Sequence, residues 1–105
     1  MSDQPKQVPI TIHCDAPTAL GAYVNVTLIH HTDNEFILDH AFAPPQVQAD
    51  GQRHAQVRSR VVCTPRHAKK LLQALQQNVG QYEQIFGQID EAAVGEVVFQ
   101  GPSGN

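Results

Sequence analysis

The sequence predicts an α+β fold: an antiparallel sheet of four strands, five if Glu96–Phe99 joins it, with one long C-terminal helix packed across it. Three observations lead there. Apolar residues alternate with a period of two in segments between Val8 and Cys63. Turn-forming residues separate those segments. After Thr64 the apolar spacing switches to steps of four and three, the spacing of one helix face.

The elements follow in chain order. Residues 1–7 read as a polar tail, and residues 8–90 as one domain. Val8, Ile10 and Ile12 alternate with Pro9, Thr11 and His13, which predicts a short strand. Pro9 has no N–H to give a ladder and places that strand at an edge. Asp15-Ala16-Pro17-Thr18 reads as a turn. In the second strand Leu20, Ala22, Val24, Val26 and Leu28 share one face, with Tyr23, Asn25, Thr27 and Ile29 on the other. Thr32-Asp33-Asn34 predicts a three-residue hairpin loop, with Asn34 suited to the left-handed conformation. Pairing His31 with Glu35 then sets Leu28 opposite Leu38 and Val24 opposite Phe42. Pro44-Pro45 ends the third strand, and Asp50-Gly51 marks a tight turn within the loop Ala43–Arg53. The fourth strand, Ala55–Cys63, directs Val57, Ser59, Val61 and Cys63 one way and Gln56, Arg58, Arg60 and Val62 the other.

The helix signal is the sharpest. Thr64-Pro65 supplies an N-cap and a proline at the first helical position. Ala68, Leu72, Leu75, Val79, Tyr82 and Phe86 form the stripe, and Leu71 and Ile85 widen it. Gly87 supplies the stop. A helix over Pro65–Phe86 is about 33 Å long. Gly80 in its interior costs about 1 kcal/mol relative to alanine, which points to a close backbone contact there. The tail 91–105 contains Glu96-Val97-Val98-Phe99-Gln100-Gly101-Pro102, which resembles a viral protease recognition sequence of the kind placed in expression vectors, with Val98 where leucine is usual.

Composition narrows the function classes. The chain has 105 residues, 41% of them hydrophobic and only 16% charged, with glutamine, at 13 copies, filling part of the polar role. A net charge of −3 argues against a strongly basic nucleic-acid binder. No apolar run reaches the roughly 18 residues that would span a bilayer, and the polar start Met1–Lys6 has no apolar signal core. A soluble cytoplasmic protein is expected. Cys14 and Cys63 are far apart, and free thiols are expected for both.

A run of segments across residues 23–86 carries a family resemblance. They are Tyr23-Val24-Asn25, Asn34–Asp39, Ser59–Val62, Thr64–Leu72, Leu75–Asn78, Tyr82-Glu83 and Phe86-Gly87. In this order they resemble a family of short bacterial and archaeal domains, the domain of unknown function 3467 family. His40 and Ala41 stand where the family pattern implies larger apolar residues. The resemblance implies a domain of this type and brings no activity with it.

The charge distribution says more than the total. Six of the seven basic residues lie between 53 and 70, uninterrupted by Asp or Glu. Arg58, Arg60, Arg66, Lys69 and Lys70 are candidate anion contacts, the last three beside a helix N-terminus whose free N–H groups favour anions. The competing expectation is cross-strand ion pairing of Arg58 and Arg60 with Glu35 and Asp39. The six histidines include the neighbours His30 and His31, which point to opposite faces of a strand and cannot readily chelate together. The nucleophile–base pairs that can be drawn, Cys63 with His67 and Cys14 with His13, lack any accompanying catalytic motif, and Cys63 alternates with Val61 on the expected core face. No catalytic residue, metal or cofactor is expected.

The remaining apolar side chains point to a partner. Tyr23, Ile29, Ile37 and Val62 fall on the outer face of the expected sheet. One helix, about 10 Å wide, covers two or so strands spaced about 4.8 Å apart, on one face only. The uncovered residues therefore form the expected oligomer interface. The heptad-like row on the helix offers a second seam, although its simplest use is to face the chain's own sheet. The expected function is a small non-catalytic interaction module working as a homo-oligomer, most simply a two-fold dimer, with a further protein partner left open. The alternative is an anion or nucleic-acid backbone binder using residues 53–70.

Overall fold

Local capping chemistry sets the helices. The computed structural model describes residues 7–92 and 96–103. Asp15 caps a four-residue helix, α1 (Ala16–Ala19), by accepting from the Thr18 N–H at 3.0 Å, where the sequence suggested a simple turn. The long helix α2 spans Pro65–Phe86, as its spacing predicts. Thr64 Oγ1 accepts from the His67 N–H at 3.1 Å. Gly87, at φ 97°, ends the helix with its N–H on the Glu83 carbonyl at 2.9 Å. Open space surrounds Gly80, so the close approach expected there is absent within the chain.

Four strands form one sheet: β1 (Val26–His31), β2 (Phe36–Phe42), β3 (Gln56–Cys63) and β4 (Val97–Ser103), in the order β3-β2-β1-β4. β1–β2 and β2–β3 are antiparallel, whereas β4 lies parallel to β1. The sheet is therefore mixed, not wholly antiparallel. A parallel neighbour needs a long connection, and α2 lies within the one that joins β3 to β4. The expected strand Val8–Ile12 is not a strand; Ile12 is 87% exposed. Its alternation is real, but no strand stands beside it.

The β1–β2 register differs by one residue from the expected one. Leu28 lies opposite Asp39, and Ile29 opposite Leu38. The cause is the turn. Thr32 Oγ1 accepts from the N–H groups of Asn34 and Glu35, and the Thr32 N–H donates to the Glu35 carbonyl at 3.0 Å. This pairs Thr32 with Glu35 instead of His31 with Glu35. Asn34 does not adopt the expected left-handed conformation, and among the described residues only glycines have positive φ. A shift between His40 and Ala41 adds a second irregularity, pairing Ser59 with His40 but Val57 with Ala41. Val57 is thereby moved off the face it was expected to share with Val61 and Cys63.

The pairing gives the sheet two distinct sides. Ile29, His31, Phe36, Leu38, His40, Val61 and Cys63 share one, called here the Leu38 face. Val26, Leu28, His30, Ile37, Asp39, Ala41, Val57, Arg60 and Val62 share the other, the Asp39 face. The expected helix layer is missing from both. The packed pairs of elements are β2 with β3, β1 with β4 and β1 with β2, and α2 has no extended packing against any strand of its own chain. Ala41 and Ala43 are the buried apolar residues, and no large side chain is fully buried among the described residues. Ala43 is held by Asn25, whose side-chain amide both donates to its carbonyl and accepts from its N–H, each at 2.9 Å. The radius of gyration is 17.7 Å, against about 13 Å for a compact chain of this length.

Candidate functional site

The sheet positions one polar cluster. Asp39, at the centre of β2, is flanked by His30 on β1 and Arg60 on β3. Arg60 Nε donates to Asp39 Oδ1 at 2.6 Å and its Nη2 to Oδ2 at 3.0 Å, a two-pronged ion pair. His30 Nε2 lies 3.4 Å from Oδ2. The Asp39 residue is only 5% exposed. Hydrogen bonding by Arg60 is the main cause that holds its carboxyl below the usual carboxylate range; burial opposes this, and His30 adds to the lowering. The same contact raises the guanidinium of Arg60 above its ordinary value. The cluster is closed on itself, with every carboxylate oxygen already engaged.

The basic segment does not form one patch. Arg60 is taken up by Asp39, as the ion-pairing expectation held, but Arg58 does not join it. The Arg58 guanidinium lies 5.2 Å from the centroid of the Phe42 ring. Arg53 donates to the carbonyls of Pro44 and Ala43 at 2.9 and 2.8 Å. Arg66, Lys69 and Lys70 are exposed on α2, with no acidic partner among the described residues.

The four expected interface residues are also divided. Ile37 and Val62 face each other across β2–β3 on the Asp39 face. Ile29 lies on the Leu38 face, opposite Leu38. Tyr23 stands edge-on to Phe42, with ring centroids 5.8 Å apart, and is 71% exposed. The one-residue register difference is what separates them. A longer exposed apolar series lies elsewhere: Leu71, Leu72, Leu75, Val79, Tyr82, Ile85 and Phe86, all along α2. Sequence periodicity found this stripe but assigned it to the chain's own core.

Among the described residues the cysteine–histidine pairs drawn from the sequence are not hydrogen-bonded. Cys63 is half-buried and Cys14 exposed, and both are free thiols. Among the described residues neither makes a side-chain hydrogen bond with His67 or His13; the Cys14 thiol instead approaches the Asp15 carbonyl at 3.7 Å. No three His, Cys, Asp or Glu side chains converge to hold a metal among the described residues. A cleft of about 310 Å³ at one end of the Leu38 face is lined by Ile29, His31, Phe36, Val98, Gln100 and Gly101, which offer neither a carboxylate nor a thiol. No described helix is long and apolar enough to cross a membrane.

Comparison with known proteins gives a family match. A family model described as a protein of unknown function (DUF3467) matches residues 1–91. No curated protein and no solved structure matches the chain.

Proposed function

We propose that this chain, which belongs to the DUF3467 family, is a small non-catalytic interaction module that works as a homo-oligomer, most simply a dimer. One observation carries the reading: the folded chain leaves its apolar surface uncovered. Its accessible surface is 9482 Å². A compact chain of this size exposes about 5,800 Å², leaving an excess of roughly 3,700 Å². Even half that excess per copy lies in the range of obligate interfaces. β3 adds an outer edge with no strand beside it among the described residues, a second place where copies can join. Sedimentation equilibrium or light scattering on the intact protein is expected to return the mass of two copies. A single-copy mass across the whole accessible concentration range would end the reading.

The second reading, anion or nucleic-acid backbone binding, rests on the three unpartnered cations Arg66, Lys69 and Lys70 at the start of α2. It predicts an affinity for DNA or RNA whose logarithm falls linearly with the logarithm of salt concentration. With three cations at that site the slope would be shallow. Removing all three charges is expected to abolish any binding seen at low salt, and no detectable binding at low salt eliminates this reading.

A further inference from the structure

We infer that the Asp39 face of the sheet is the seat for α2 of a second copy, so that the two chains exchange helices. This rests on the homo-oligomer reading and specifies its interface. The first ground is that α2 carries a continuous apolar stripe from Ala68 to Phe86 while having no extended packing on any strand of its own chain. Its opposite side carries Arg66, Lys70, Gln73, Gln77 and Gln84, which suits water. Such a helix covers one layer and is not designed to lie between two.

The second ground selects the face. A polar group covered without a hydrogen-bond partner costs about 1–3 kcal/mol. On the Asp39 face the polar side chains at the centre, Asp39, Arg60 and His30, are bonded to one another. Covering that face leaves each of the three with a hydrogen-bond partner, and the remaining donors of Arg60, whose side chain is 62% exposed, are then placed at the rim of the seat. On the Leu38 face Thr27 and His40 pair at 3.1 Å, but His31, Ser59 and Gln100 have no side-chain hydrogen bond among the described residues. A helix seated there would strand them. The apolar surround of the Asp39 cluster, Leu28, Ile37, Val57, Val62 and Phe99, is then what the helix stripe meets.

A third ground is self-consistency. One chain offers one helix and one such face, so a two-fold pair satisfies both reciprocally and closes without leaving a seat open.

Disulfide trapping in the full chain tests this. In a background of Cys14→Ala and Cys63→Ala, Leu75→Cys at the middle of the stripe is combined with Leu28→Cys at the middle of β1. Oxidation is expected to convert the single-copy band on a non-reducing gel to a double-mass band. Leu75→Cys alone should not do so. Several results overturn the inference: a double-mass band from Leu75→Cys alone, which would mean helix against helix; trapping only when Leu75→Cys is paired with Val61→Cys, which would mean the Leu38 face; or a cross-link within one copy. If any of these occurs in a particle of two-copy mass, the homo-oligomer reading survives and only the helix seat is lost. A single-copy mass retires both. Should the substituted chains fail to fold, a half-labelled sample of the unaltered protein gives the same decision by intermolecular nuclear Overhauser contacts. Contacts between α2 methyls and those of Leu28 and Val62 are expected, and their absence in a two-copy particle overturns the seat.

Discussion

Shortening Leu72 to alanine is expected to cost about 2–5 kcal/mol of stability, the range for emptying a packed aliphatic site. In a lone chain the same change would matter little. Leu72 is 55% exposed there and its helix has no extended packing on a strand, and a surface substitution of that kind stays within about 0.5 kcal/mol. The two expectations differ several-fold, so one denaturant titration separates them. The protein's unfolding midpoint should also rise with protein concentration, because folding and association are linked by mass action. Leu72→Asp goes further: a carboxylate in the middle of an apolar seat should release single copies whose midpoint no longer depends on concentration. Gln73→Ala, on the water-facing side of the same helix, is the control and should leave the midpoint in place. A Leu72→Ala variant indistinguishable from the unaltered protein would show that the stripe is not packed against anything.

The helix was the most legible part of the fold, and the reason is that its determinants are local. Thr64 and Pro65 fix its start and Gly87 its end by contacts within a few residues. The sheet register was less legible because it turns on one hydroxyl. Thr32 captures the N–H groups of Asn34 and Glu35, which closes the loop one residue away from the His31–Glu35 pairing. Since strand side chains alternate, that single step moved Leu28 from opposite Leu38 to opposite Asp39. Arg60 was correctly given an acidic partner in Asp39, while the stacking of Arg58 over Phe42 depends on the irregularity between His40 and Ala41, which leaves no sequence signature of its own.

Where α2 docks was not legible at all. An apolar stripe buries the same area against its own sheet or against another copy's. Periodicity reports that a helix face seeks cover, and it is silent on which chain provides it. The same holds for Val8, Ile10 and Ile12, whose alternation describes an amphipathic segment and not the presence of a neighbour. The radius of gyration of 17.7 Å shows that the chain is extended, which periodicity does not report.

Lowering the pH through the ordinary carboxylate range and below it is expected to dismantle the assembly through Asp39. Its carboxyl is held below the usual value of 3.8, chiefly by the Arg60 hydrogen bonds. A depressed carboxyl binds its proton less readily in the folded state than in the unfolded one, so its contribution is fully present above the ordinary range and is lost as pH falls through the folded value. The groups that face Asp39 are the His30 imidazole from β1 and the Arg60 guanidinium from β3. Once Asp39 is protonated, Arg60 is left as an uncompensated cation beneath the helix seat, and the seat opens. Other carboxylates also titrate there, so the diagnostic quantity is a difference. Asp39→Asn should already weaken association at neutral pH, because its amide N–H groups confront the Arg60 donors, and it should show a flatter acid limb. Asp39→Leu combined with Arg60→Leu and His30→Leu removes the whole cluster, and replacing a paired set with apolar side chains is often neutral or stabilising. That triple variant should regain the two-copy mass and keep it to lower pH than the unaltered protein. Identical acid limbs for the unaltered protein and Asp39→Asn, read by light scattering across the titration, would remove the cluster from the energetics of assembly.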